Sequence, residues 1–189
     1  MSSGRPAVFL DRDGVVNEEV NYLHEPEKVV LTPRLPEALA ALKGRGFLLL
    51  VVTNQSGIGR GYYDVAAMHS VHSRIQELLA SATGVQIDGF YWCPHLPSDG
   101  CSCRKPRPGM LLRAAADHDV DLASSFTIGD KLTDLEAGKS AGTKTVLVLT
   151  GYGWGEWARA RDEGLEWLVD FVAKDACQAA KRVLDGTEA

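Results

Sequence analysis

Cysteine is scarce in this chain and unevenly placed: of four in 189 residues, three fall between Cys93 and Cys103. That is too few for a disulfide scaffold at this length, and the crowding reads as a metal-ligand set in a reducing compartment. Long apolar runs are missing, so nothing in the sequence is suited to span a bilayer. Positive charge is not in excess either. Twenty Lys and Arg against 25 Asp and Glu leave a net charge of -5, which argues against a broad nucleic-acid surface. A local basic pocket around a phosphorylated metabolite remains compatible with it. The opening Met1-Ser2-Ser3-Gly4-Arg5-Pro6 lacks the apolar core of a secretory signal. There is no internal repeat, low-complexity tract or clear linker. The expectation is a cytoplasmic monomer with one domain over residues 1–189, without a membrane or nucleic-acid partner. At 45% hydrophobic residues, that length can bury a substantial core.

Short apolar runs alternate with amphipathic stretches. Strands are predicted at Ala7–Leu10, Phe47–Thr53, Ile87–Cys93, Ser125–Ile128 and Thr145–Leu149. Between them, Pro36 to Arg45 is a helix with Leu35, Leu39 and Leu42 on one face. Asp64 to Ala82 begins at a good N-cap and repeats Met68, Val71, Ile75, Leu78, Leu79 and Ala82 at helical spacing. Pro108 to His118 turns Leu111, Leu112 and Ala115 inward, and Thr133 to Ala141 ends at Gly142. Helical His69 and His72 are expected on the surface, and Cys177 in the core. Strand–helix alternation implies a parallel α/β sheet covered on both faces, with ligands at the C-terminal strand ends. Beyond Gly151-Tyr152-Gly153 the segment with Trp154, Trp157 and Trp167 shows no clear period, and Val169 onward reads as a closing strand fragment and helix.

Four polar segments sit at or beyond those strand ends. Asp11-Arg12-Asp13-Gly14 places two carboxylates one residue apart after a buried strand. Their mutual repulsion is costly unless a hard cation such as Mg²⁺ offsets it, although Asp and Gly are also ordinary turn residues. Thr53-Asn54-Gln55-Ser56-Gly57 offers a hydroxyl and backbone amides to an anion, or a plain cap and turn. Arg104-Lys105-Pro106-Arg107 supplies a point charge for oxygen anions, or a solvated basic turn. Gly129-Asp130-Lys131-Leu132-Thr133-Asp134 adds another strand-end carboxylate, while Asp134 is placed to cap the helix.

In order, spacing and strand context these four segments resemble the motifs of the haloacid dehalogenase superfamily of phosphohydrolases. The resemblance covers roughly residues 7 to 151. It implies a three-layer Rossmann-like α/β fold with a parallel central sheet. Asp11 would be the nucleophile and Asp13 the general acid and base, with Thr53, the Asn54 amide and Lys105 holding the transferring phosphoryl group. Mg²⁺ would be held by Asp11, by Asp13 through its backbone carbonyl, and by Asp130, with Asp134 direct or through water. Val15, where many members carry threonine, is expected to be silent.

Cys93-Pro94-His95 and Cys101-Ser102-Cys103 together form C-x-H-x5-C-x-C, four ligands that suit a closed, structural Zn²⁺ site. Too little chain separates the motifs for a large cap domain, so Asn17 to Glu27 and the zinc loop are left to select the substrate. This layout resembles the branch holding sugar-bisphosphate and histidinol-phosphate phosphatases. It places Glu19, Tyr22, Asn54, Gln55, Ser56, Arg104 and Lys131 around a phosphorylated sugar. The planar fork of Arg104 suits a second phosphate. The amine and imidazole of histidinol phosphate would instead want a carboxylate, which Glu18, Glu19 or Asp99 could supply.

Overall fold

The computed structural model describes residues 4–186. Six parallel strands, β1 (Ala7–Leu10), β2 (Leu48–Asn54), β3 (Gly89–Cys93), β4 (Phe126–Gly129), β5 (Lys144–Val148) and β6 (Phe171–Ala173), line up in the order β3-β2-β1-β4-β5-β6. Seven α-helices among the described residues accompany them: α1 (Leu35–Gly44), α2 (Ser56–Gly59), α3 (Val65–Thr83), α4 (Gly109–His118), α5 (Leu132–Ala141), α6 (Gly153–Glu163) and α7 (Ala176–Asp185). Each of the five predicted strands and four predicted helices is present, with ends shifted by no more than two residues.

Strand alternation sorts the core into two layers. Val8, Leu10, Leu49 and Val51 pack on Leu35, Leu39 and Leu42 of α1, Val71, Ile75 and Leu79 of α3, and Ala179 and Val183 of α7. Ala7, Phe9, Leu48, Leu50 and Val52 face the other way, onto Met110, Leu111 and Ala114 of α4 and Ala137 and Ala141 of α5. Both faces of the sheet are therefore buried, which is why the strands read as unbroken apolar runs. The chain winds from β1 outward to β3, then returns to the far side of β1 for β4 to β6. The reversal at β1 opens a crevice between the C-terminal ends of β1 and β4, where ligands of such sheets bind.

Three side chains depart from the sequence expectation. Leu112 points to solvent, 46% exposed, because the buried face of α4 is set by Met110, Leu111 and Ala114, and Ala115 is only half-buried. Ala82 is exposed, since residues 80–83 all face solvent in the last turn of α3. His72 is buried rather than on the surface. It falls one turn beyond Met68 and beside Val71, widening the apolar stripe, and its ring stacks on Phe90 at 4.4 Å. Burial, aided by Arg12 and His69, pushes its pKa down to about 3, so it stays neutral. The segment without a clear period contains α6. That helix buries only Gly153 and Ala160 while Trp154 is 69% exposed, so no apolar stripe exists to be read.

Candidate active site

The strand order determines which motifs meet. Asp11 leaves β1 between the end of β2, which carries Thr53 and Asn54, and the end of β4, which leads into Asp130. Lys105 arrives from the loop after β3, and its buried Nζ donates to Asp11 Oδ1, to Val52 O and into an ion pair with Asp134 Oδ1, each at 2.7 Å. Burial opposes the charge on Lys105, but Asp11 and Asp134 outweigh it and hold its pKa above the ordinary lysine value.

Carboxylate oxygens of Asp11, Asp130 and Asp134 lie within 4.8 Å of one another. Burial raises Asp11 to about 6, with Lys105 opposing and Asp134 and Asp13 reinforcing. Burial likewise raises Asp130 to about 8, and the charges of Asp11 and Asp134 add to it. Asp130 Oδ2 accepts from the Tyr152 amide at 2.9 Å, while its Oδ1 is buried without a partner. Three clustered carboxylates, with one ammonium in direct contact and one buried oxygen left without a partner, are a donor set that fits Mg²⁺. Gly14 makes the cluster possible: its φ is +88°, and a Cβ there would overlap the Asp130 carboxylate.

The Asp13 carboxylate stands apart from this cluster. Oδ1 accepts from Arg12 Nε and Nη2 at 3.1 and 3.0 Å and from Asn17 Nδ2 at 2.9 Å, and Oδ2 accepts from Arg12 Nη2 at 2.9 Å and Gln55 Nε2 at 3.1 Å. Arg12, squeezed between two aspartates in sequence, is completely buried. Asn54 is turned toward the lysine loop, donating to Lys105 O and accepting from Lys105 N, both at 3.1 Å.

A cleft of about 370 Å³ opens over these groups. Asp11, Asp13, Thr53 and Lys105 form its floor, and Glu19, Tyr22, Asn54, Gln55, Ser56, Arg104 and Lys131 all line it. Asp130 lies buried beneath. Asn21, from the loop expected to select the substrate, also reaches the cleft, as do Thr133, Tyr63 and Tyr152, which were not singled out as site residues. Tyr152 belongs to the Gly151-Tyr152-Gly153 turn, and its ring lies 4.2 Å from Lys131 Nζ.

On the far side of Lys105, Cys93, His95, Cys101 and Cys103 converge. Sulfur–sulfur separations run from 3.1 to 3.6 Å, and His95 Nδ1 lies 3.4 Å from Cys93 Sγ and 3.3 Å from Cys103 Sγ. Four donors this close could hold one tetrahedral ion such as Zn²⁺. Arg104 Nη1 donates to His95 O at 3.1 Å, which ties the cleft wall to this loop.

Comparison with known proteins agrees with this geometry. Residues 102–178 match the family model described as HAD-hydrolase-like. The chain is 45% identical to the D-glycero-D-manno-heptose-1,7-bisphosphate 7-phosphatase of Thermosynechococcus vestitus, covering 94% of each chain. It is 41% identical to the D-glycero-beta-D-manno-heptose-1,7-bisphosphate 7-phosphatase of Pseudomonas aeruginosa, over 89% of this chain and 95% of that one. The crystal structure of the D,D-heptose 1,7-bisphosphate phosphatase from B. bronchiseptica, complexed with magnesium and phosphate, superposes with a TM-score of 0.87 at 37% identity, covering 96% of this chain and 99% of the other. Near full-length similarity at these identities, joined to the clustered strand-end carboxylates and lysine, leads to one conclusion: the chain belongs to the haloacid dehalogenase-like hydrolases, within the family of the heptose-1,7-bisphosphate 7-phosphatases.

Proposed function

We propose that this chain is a Mg²⁺-dependent phosphatase that removes the C7 phosphate of D-glycero-D-manno-heptose 1,7-bisphosphate through an aspartyl-phosphate. The observation that carries the reading is Asp11, held by Lys105 at the floor of a cleft that has Arg104 and Lys131 on its walls. The Asp11 carboxylate attacks phosphorus as the bond to the C7 oxygen breaks, and Asp13 gives that oxygen its proton. Asp13 then takes a proton from the water that attacks the same phosphorus, breaking the bond to Asp11 and freeing phosphate. Lys105, Thr53 and the Asn54 amide hold the phosphoryl oxygens throughout. Bound by Asp11, Asp130 and the Asp13 carbonyl, with Asp134 direct or through water, Mg²⁺ would neutralise the phosphoryl charge.

The cleft walls favour a second anion over a cation. Glu19 is answered by Lys131 Nζ at 3.8 Å, and Asp99 accepts from the Leu96 amide within its own turn. Glu18 and Asp99 do not line the cleft, and the charge of Glu19 is offset by Lys131, so a bisphosphate fits these walls better than histidinol phosphate. Arg104, half-buried and tied to His95, is placed to hold the phosphate that stays on C1. Phosphate release across sugar bisphosphates, histidinol phosphate and p-nitrophenyl phosphate tests this. Heptose 1,7-bisphosphate should be the best substrate, and Arg104→Ala should cost it about 2–3 kcal/mol, roughly thirtyfold in kcat/KM, while sparing the aryl phosphate. Equal losses on both would assign Arg104 to the fold or to the transferring phosphate. Histidinol phosphate turning over faster would move the substrate to that branch.

The cysteine loop holds structural Zn²⁺ through Cys93, His95, Cys101 and Cys103. About one equivalent of zinc should co-purify, and Cys101→Ser should lower Tm and, through the loop, activity. Metal analysis finding no zinc in fresh, reduced protein overturns this. The enzyme is read as a single-domain cytoplasmic monomer acting on a freely diffusing sugar phosphate. In support, no helix among the described residues is long and apolar enough to cross a membrane, and the net charge is -5.

A further inference from the structure

Gln55 follows Asn54 directly, yet its buried side chain is directed inward and every polar atom on it is engaged. Nε2 donates to Thr53 Oγ1 at 2.8 Å and to Asp13 Oδ2 at 3.1 Å, and Oε1 accepts from Tyr63 Oη at 2.6 Å. Chemistry fixes the direction of this amide. In the resting site the Asp13 carboxylate accepts from Arg12 and Asn17 as well, so the Gln55 N–H faces it and the carbonyl faces Tyr63. The phenol is then obliged to donate. Burial pushes the Tyr63 pKa up to about 12, so the proton stays in place at neutral pH.

The Tyr63 ring is itself seated closely. A Cβ at Gly57 would overlap it, and the His24 ring stacks on it at 5.4 Å with planes 6° apart. Four groups thus form one chain, Tyr63 to Gln55 to both Asp13 and Thr53. We propose that Tyr63 is a positioning residue for the hydrolysis: its hydroxyl locks Gln55 in the one amide orientation that ties the proton-transferring Asp13 to the phosphoryl-holding Thr53. The inference rests on the phosphatase reading above and deepens it. Without the hydroxyl the amide can turn over, and a flipped carbonyl would then repel the Asp13 carboxylate. Arg12 and Asn17 still hold Asp13, so the loss is one of aim rather than of the residue.

Tyr63 also reaches the cleft, and direct contact with the sugar is the competing role. A double-mutant cycle separates the two, with Tyr63→Phe, Gln55→Met and their combination assayed on heptose 1,7-bisphosphate and p-nitrophenyl phosphate. Tyr63→Phe should lower kcat on the sugar about fivefold to tenfold, with KM moved less than about twofold. In the Gln55→Met background the same change should alter kcat by less than about 1.5-fold. The loss in Tyr63→Phe should also be larger for the sugar than for the aryl phosphate, whose good leaving group needs little help from Asp13. That comparison decides the matter alone if Gln55→Met does not fold. Multiplying effects in the cycle, a loss confined to KM, or equal losses on both substrates overturn the proposal while wild-type turnover stands. A wild-type chain without phosphatase activity overturns the underlying reading as well.

Discussion

Asp11→Asn should yield a folded protein whose turnover is lower by about a thousandfold or more. The two side chains are nearly isosteric, and the remaining oxygen can still accept from Lys105 Nζ, now 2.7 Å from Oδ1. What disappears is the anion proposed to attack phosphorus, together with one of the three carboxylates gathered in the acidic cluster. Melting temperature should therefore change little while phosphate release vanishes. Acid-quenched wild-type protein given labelled substrate should retain phosphorus on the chain, and the Asp11→Asn variant should not. Release within tenfold of wild type, with contaminating phosphatase excluded, would remove Asp11 from the nucleophile's role.

Lys105→Met should damage the fold as well as the chemistry. The ammonium is buried between Asp11 and Asp134, and its removal leaves two carboxylates facing each other beside Asp130. Removing one member of a buried charge set in this way costs about 3–5 kcal/mol, on the order of 10 °C in Tm for a chain of this length. The loss should depend on pH, and its sign follows from Asp11. A carboxyl whose folded pKa lies above its unfolded value of 3.8 gains a proton more readily in the fold. Its stabilising share is complete below 3.8 and is lost as pH rises through about 6, a limit the missing lysine would push higher. In Mg²⁺-free buffer the gap between variant and wild type should be widest near pH 8 and narrow toward pH 5. Urea titrations at both pH values measure it. A deficit below about 1 kcal/mol at pH 8 would mean the two carboxylates do not depend on Lys105 for their charge.

How much of this was readable without coordinates depended on the range of the interaction. Asp11, Thr53 and Asp130 each follow an apolar run, and parallel strands put such positions along one edge, so their meeting could be anticipated. Cys93, His95, Cys101 and Cys103 are close in sequence, and their spacing alone foretold that they would converge. Arg12 shows the opposite case. An arginine between two aspartates looks like a solvated turn, and only the packing of Leu23 and the loop around it reveals a buried clamp on Asp13. His72 is misread when residue type is weighed above its place in the α3 stripe. Tyr63 carries no signal at all, since its role arises from an amide eight residues away and from the missing side chain at Gly57.

The position of β1 in the sheet has a consequence for synthesis of the chain. One flank of Ala7–Leu10 pairs with β2, but the other waits for Phe126–Ile128, well over a hundred residues later. Until β4 emerges from the ribosome, an uncharged, proline-free Ala-Val-Phe-Leu edge offers unpaired amides and carbonyls to any neighbouring chain. Chains that stop before residue 126 are thus prone to aggregate rather than to work at reduced rate. If the protein were expressed as two fragments split between β3 and β4, they would have to rejoin along the β1–β4 seam. Asp11 and Asp130 meet at that seam, so recovered phosphate release would report its closure directly.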